Sequence, residues 1–197
     1  MKLYISGNSP YARRARMAAR EAGLADRVEE IAISGFDQLL ELGPGGKIPV
    51  LITDEGRSLC ESLIITRYFN DLSGGRLLPT EPAMREDCLA LESVASVLMD
   101  SLFVRSMEQN HREEASRSNA VLQREAERCR RCYDTLEKMV VGEGDTVSLA
   151  SIAVISSLGY ANWRAPEDDW RDGRPSLESY YDHLMQRPAF SDTAPAF

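Results

Sequence analysis

The 197-residue chain has no apolar run approaching the roughly 20 residues that cross a bilayer. Its most apolar stretch, residues 147–158, is too short and holds Ser148, Ser151, Ser156 and Ser157. The opening Met1-Lys2-Leu3-Tyr4-Ile5 lacks the apolar core and cleavage site of a signal peptide and reads as a strand. Basic charge is also short: 23 Lys and Arg face 31 Asp and Glu, giving −8 with both signs mixed along the chain. That balance argues against a nucleic-acid face. No histidine cluster lies near the cysteines to complete a zinc site, and there is no internal repeat or low-complexity tract. These absences predict a cytoplasmic globular protein with no metal, membrane or nucleic-acid partner. Hydrophobic residues at 43% and charged residues at 27% suit that class, and the length allows one sizeable domain or two small ones.

Cysteine is limited to Cys60, Cys88, Cys129 and Cys132, expected as free thiols in a reducing compartment. Cys129 and Cys132 have C-x-x-C spacing but sit inside the charged, helical stretch 125–133. Redox pairs use a helix N-terminus, where the dipole lowers the first thiol's pKa. Mid-helix, positions i and i+3 only share a face, so both read as structural thiols.

Two kinds of pattern follow one another. Residues 2–6 read as a strand and 10–22 as a helix, with Ser9 as N-cap, Pro10 at its first position and Gly23 as C-terminal cap. Ala12, Ala15, Ala18, Ala19 and Ala22 form one face, with Arg13, Arg16 and Arg20 largely elsewhere. A strand at 28–33, a helix at 37–42, a hairpin of 48–53 with 58–60 and a helix at 61–72 complete β-α-β-α-β-β-α. Residues 77–82 read as a linker with two prolines. Beyond it only helices are predicted, at 83–110, 119–141, 148–160 and 176–186, with Ser176 capping the last. The expected divisions are 1–75 for an α/β domain, 76–83 for a linker and 84–197 for an all-helical domain.

Four segments then give this chain a resemblance to the glutathione transferase superfamily over essentially its whole length. They are Ser9-Pro10-Tyr11-Ala12-Arg13-Arg14, Gly46-Lys47-Ile48-Pro49-Val50-Leu51, Glu61-Ser62-Leu63-Ile64-Ile65 and the stretch 144–153. The segment Gly159-Tyr160-Ala161-Asn162-Trp163-Arg164 resembles a bacterial subgroup with a serine-type N-terminal motif. The resemblance implies a thioredoxin-like N-terminal domain, an all-α C-terminal domain, a homodimer, and glutathione as co-substrate with no further cofactor.

It also implies roles. A cis Ile48–Pro49 bond would expose the main chain of Val50 to the cysteinyl part of glutathione by strand addition. Glu61 would take the γ-glutamyl ammonium, and the N–H groups at Ser62 its carboxylate. Lys47 or Arg13 would meet the glycyl carboxylate. Ser9, with the dipole of its helix, would stabilise the thiolate, with Tyr4, Ser6 and Asn8 as rivals. Asp100 would reach across a dimer interface. The acceptor pocket is expected from Asn8, Tyr11, Phe103, Val104, Met107 and Tyr160, with Trp163 beside them. No cysteine stands at position 9 or 10, so reductase chemistry lacks its nucleophile. The expected function is a glutathione S-transferase acting on an unidentified electrophile. The alternatives are a glutathione-dependent lyase, isomerase or dehalogenase, and a non-catalytic binding or regulatory protein. Ser148 and Ser151 resemble the family's N-capping box, with serine where aspartate is common.

Overall fold

The computed structural model describes residues 1–195. The last two residues of the expected helical domain lie outside them. Strand β1 (Lys2–Ile5) leads through α1 (Pro10–Glu21) to a parallel β2 (Glu29–Ala32), then α2 (Phe36–Leu42). Strands β3 (Val50–Ile52) and β4 (Ser58–Cys60) pair antiparallel before α3 (Ser62–Leu72). The sheet runs β2-β1-β3-β4, with Leu3 opposite Leu51 and Tyr4 opposite Val50. Five helices follow: α4 (Pro82–Asn110), α5 (Asn119–Met139), α6 (Leu149–Arg164), α7 (Pro175–Leu184) and the short α8 (Pro188–Ser191). A four-stranded mixed sheet with helices, joined to a helical C-terminal part, is the fold class expected from sequence. No helix among the described residues is long and apolar enough to cross a membrane.

The helix starts follow local chemistry. Ser9 Oγ accepts the Ala12 N–H at 3.2 Å, with Pro10 at the first helical position. Glu81 caps α4 through the Ala83 and Met84 N–H groups, and Pro82 opens that helix rather than closing a linker. The linker itself is packed: Leu77 and Leu78 are buried, and Leu77 joins Asn70 Oδ1 and the Leu149 N–H.

At α6 the capping box is complete. Ser148 Oγ accepts from the Ser151 N–H at 3.2 Å, and Ser151 Oγ from the Ser148 N–H at 2.9 Å. Ser151→Ala removes one half of this exchange from a buried site and is expected to cost about 1 kcal/mol in urea unfolding. An unchanged midpoint would mean that the box does not hold the helix.

Three expectations are corrected here. Ser176 does not cap α7. Its N–H and that of Leu177 donate to the Glu137 carboxylate of α5, at 3.1 and 2.7 Å. Helix α6 runs past Tyr160 to Arg164, so Trp163 and Arg164 are helical. Arg13 does not lie off the buried face: it is 2% exposed, as is its neighbour Arg14. Arg13 spans the two halves of the protein, donating to the carbonyls of Ile155 at 3.2 Å and Phe190 at 3.0 Å. Arg14 donates to Ser96 Oγ at 2.6 Å. Around them the alanine face of α1, the apolar residues Leu91, Ala95, Leu98 and Leu102 of α4, and nearly all of α6 form one core. Each buried leucine there contributes roughly 1.5–3 kcal/mol.

The cysteines are free. Cys129 and Cys132 are buried in α5, and burial pushes the Cys129 thiol up to about 12 and the Cys132 thiol up as well. Neither is a thiolate at neutral pH, as a structural role requires.

Candidate functional site

Two adjoining cavities open between the sheet half and the helical half, sharing Tyr11, Lys47, Ile48 and Phe103 in their walls. The first, of about 520 Å³, has Ile48 and Pro49 on one side and Cys60, Glu61 and Ser62 on another. Asp100, Phe103 and Val104 of α4 close it. The second, of about 310 Å³, has Ser6, Asn8 and Ser9 from the loop into α1. Its opposite walls are Phe103, Ser106 and His111 of α4 and Tyr160, Trp163 and Arg164 of α6.

The start of α3 is unlike the side-chain-capped starts of α1, α4, α5 and α6. Its N-cap residue, Glu61, makes no side-chain cap hydrogen bond. The first-turn N–H groups therefore remain free donors at the positive end of a helix, beside a buried Ser62. Glu61 holds φ 68 and ψ 120, a conformation that costs a non-glycine residue about 1–3 kcal/mol. The exposed Glu61 carboxylate and these N–H groups form a charge pair of opposite sense within one cavity.

The Ile48–Pro49 peptide bond is cis. Val50, expected to present its main chain there, is 1% exposed, lies between Tyr4 and Cys60 with a strand on each side, and lines neither cavity. Ile48 stands outside the β3 ladder, and its main chain makes no hydrogen bond to another described residue. Ile48, not Val50, offers the unpaired backbone groups.

Ser9 lines the second cavity, together with its rivals Ser6 and Asn8. Tyr4 lines neither. Arg13 is committed to the Ile155 and Phe190 carbonyls, which leaves the exposed Lys47 as the cation of that expected pair at the cleft. Asp100, expected to serve a partner subunit, accepts the Tyr11 hydroxyl at 2.6 Å within its own chain. Burial, reinforced by the Asp100 carboxylate, pushes the Tyr11 phenol well above its ordinary value, so it stays protonated. The Tyr11 ring meets Phe103 edge-on at 5.6 Å, and Tyr160 meets Trp163 likewise at 5.8 Å. Met107 is 40% exposed and lines neither cavity. Cys60, read from sequence as remote from the α1 turn, lines the first cavity. His111 and Arg164 line the second and were missed: nothing local marks a helix-end residue as a cavity wall. No cluster of potential metal ligands occurs among the described residues.

A thioredoxin-like sheet and helices set against a helical bundle, with a cleft where they meet, define the class of protein. This chain belongs to the glutathione S-transferase family: residues 8–72 match its N-terminal domain and residues 119–183 its C-terminal domain. It is similar to the Escherichia coli (strain K12) protein described as uncharacterized GST-like protein YibF, 32% identical over 200 residues that cover 99% of this chain and 98% of that one. Among solved structures it resembles a glutathione transferase family member from Pseudomonas fluorescens Pf-5 with bound glutathione. That match has TM-score 0.94 and 28% identity, covering 100% of this chain and 99% of the other. A second structure from that organism, with bound S-(propanoic acid)-glutathione, matches at TM-score 0.89 and 28% identity, with both chains fully covered.

Proposed function

We propose that the protein is a glutathione transferase that activates the thiol of glutathione for attack on a small electrophile. The observation that carries this reading is the uncapped start of α3, facing the same cavity as the unpaired main chain of Ile48. The γ-glutamyl carboxylate meets the α3 N–H groups and Ser62, and its ammonium meets Glu61. The cysteinyl main chain pairs with Ile48, and Lys47 takes the glycyl carboxylate. This run directs the sulfur toward the second cavity, where the Ser9 hydroxyl and the N-terminus of α1 favour the thiolate. The thiol proton leaves to solvent, a carbon–sulfur bond forms, and a leaving group departs with its electron pair. Ligands in the Pseudomonas fluorescens structures, glutathione itself and a conjugate carrying an S-linked arm, support this division into two subsites.

The same reading makes the protein a cytoplasmic homodimer. Four cysteines without a disulfide fit a reducing compartment, and exposed Ile64 on α3 and Val97 on α4 offer apolar surface for a partner.

Conjugation above the uncatalysed rate across a panel of aryl and benzyl halides, with glutathione binding in calorimetry, is the expected result. Failure of both overturns the proposal. Glu61 supplies a sharper test. Glu61→Gly relieves the positive φ and is expected to raise stability by about 1 kcal/mol while weakening glutathione at least about tenfold. Glu61→Gln removes charge without freeing the backbone, so it weakens glutathione without the stability gain. A parallel fall in stability and affinity for Glu61→Gly would contradict the account.

A further inference from the structure

The second cavity differs in charge from the chain around it. The protein has 31 acidic side chains against 23 basic ones, yet among the described residues no Asp or Glu lines this cavity, whereas Lys47, His111 and Arg164 do. A walled cleft of one sign concentrates ligands of the other.

Arg164 sharpens the point. It is the last residue of α6, and its guanidinium carbon sits 3.6 Å from the centroid of the Trp163 ring. Its Nε is shielded from solvent and has no hydrogen-bond partner. Other arginines of the helical part are committed to carboxylates, Arg105 to Asp168 and Glu167 and Arg174 to Asp134, while Arg117, which lines neither cavity, shares with Arg164 a shielded Nε without a partner. Arg164 makes no such pair among the described residues. An arginine stacked on an indole keeps its donors in a fixed plane, a geometry that matches a carboxylate at two points. The surrounding walls, Leu39, Phe103, Tyr160 and Trp163, are apolar or aromatic and suit a flat, carbon-rich body.

We infer that the acceptor substrate is an electrophile bearing a carboxylate. Arg164 holds the carboxylate, the aromatic walls hold the body, and the electrophilic carbon faces the Ser9 end of the same cavity. This inference rests on the glutathione reading of the adjoining cavity. With an aryl chloride of this kind, sulfur bonds to the ring carbon, chloride leaves with the bonding pair, and the thiol proton passes to solvent. Arg164 changes no bond; it selects the acceptor and orients it.

Binding of two finished conjugates tests this without requiring turnover. S-(4-carboxy-2-nitrophenyl)glutathione and its neutral carboxamide analogue differ only in the group offered to Arg164. Calorimetric titration of each, and of glutathione, into the full chain is expected to give at least about tenfold tighter binding of the carboxylate conjugate than of the amide. Arg164→Gln is expected to bring that ratio close to one, mainly through the carboxylate conjugate, and Arg164→Lys to restore part of it. Equal affinities in the unsubstituted protein overturn the inference, as does an unchanged ratio in Arg164→Gln. If Arg164→Gln fails to fold, the ratio in the unsubstituted protein still decides. Absence of binding by glutathione and both conjugates overturns the underlying glutathione reading, whereas glutathione binding with no carboxylate preference overturns the inference alone.

Discussion

Replacing Gly159 with alanine is expected to lower the unfolding free energy by about 3 kcal/mol, from overpacking at a site that cannot relax. A Cβ at this position would stand 1.9 Å from Arg13 Nη1 and 3.2 Å from its Cζ. A flexible side chain would swing away, but Arg13 is buried and fixed at three points. Nη1 donates to the Ile155 carbonyl, and Nη2 donates to the Phe190 carbonyl and to the Met185 sulfur at 3.3 Å. Burial, with a smaller push from the neighbouring Arg16 cation, drives this guanidinium below its ordinary pKa, so the cation depends on those acceptors. Moving it leaves a buried charge partly unsatisfied, which is why a methyl group has so large an effect. Arg13→Ala is expected to cost a similar amount, through a cavity and two stranded carbonyls. The double substitution is expected to cost far less than the sum, because the clash disappears with the side chain. Urea unfolding of all three variants measures this, and strict additivity would contradict the packing argument.

Ser9→Ala is expected to lower kcat/KM at neutral pH by about 10- to 100-fold, the scale of one hydrogen bond to a developing or full anion. The hydroxyl oxygen accepts the Ala12 N–H, and its proton remains available to a sulfur in the second cavity. Without that donor the pKa of bound glutathione is expected to rise toward the free-thiol value of roughly 8.5. The loss of rate should therefore be greatest at low pH and shrink as pH rises through the new value. Ser9→Thr keeps a hydroxyl and should recover part of the rate. Because the same change removes a helix cap worth about 1 kcal/mol, urea unfolding separates a folding defect from a chemical one. A thiol titration unchanged by Ser9→Ala would remove Ser9 from the mechanism.

What was legible in the sequence was local. Ser9-Pro10 at the start of α1, proline at a cis bond before β3, and the Ser148 and Ser151 exchange each depend on neighbours a few residues apart. The alanine face of α1 was legible for the same reason, since its period alone marks the buried side. The illegible features are made by long-range partners. Arg13 read as lying off the buried face because the acceptors that make its burial tolerable, Ile155 and Phe190, lie far along the chain. Ser176 looked like a cap because nothing in its own segment points to Glu137 on α5. The unpaired main chain of Ile48, two residues before Val50, was not legible because pairing on both sides of Val50 depends on β1 and β4 together. Arg164 was not legible as a cavity wall because the helix that carries it runs four residues beyond the predicted end at Tyr160.

The most direct test is a crystal structure with glutathione bound. The account predicts the γ-glutamyl group at Glu61, Ser62 and the first turn of α3, the cysteinyl main chain paired with Ile48, and the sulfur within hydrogen-bonding distance of Ser9 Oγ. A tripeptide bound outside this cleft, or one whose sulfur is turned away from Ser9, would contradict it.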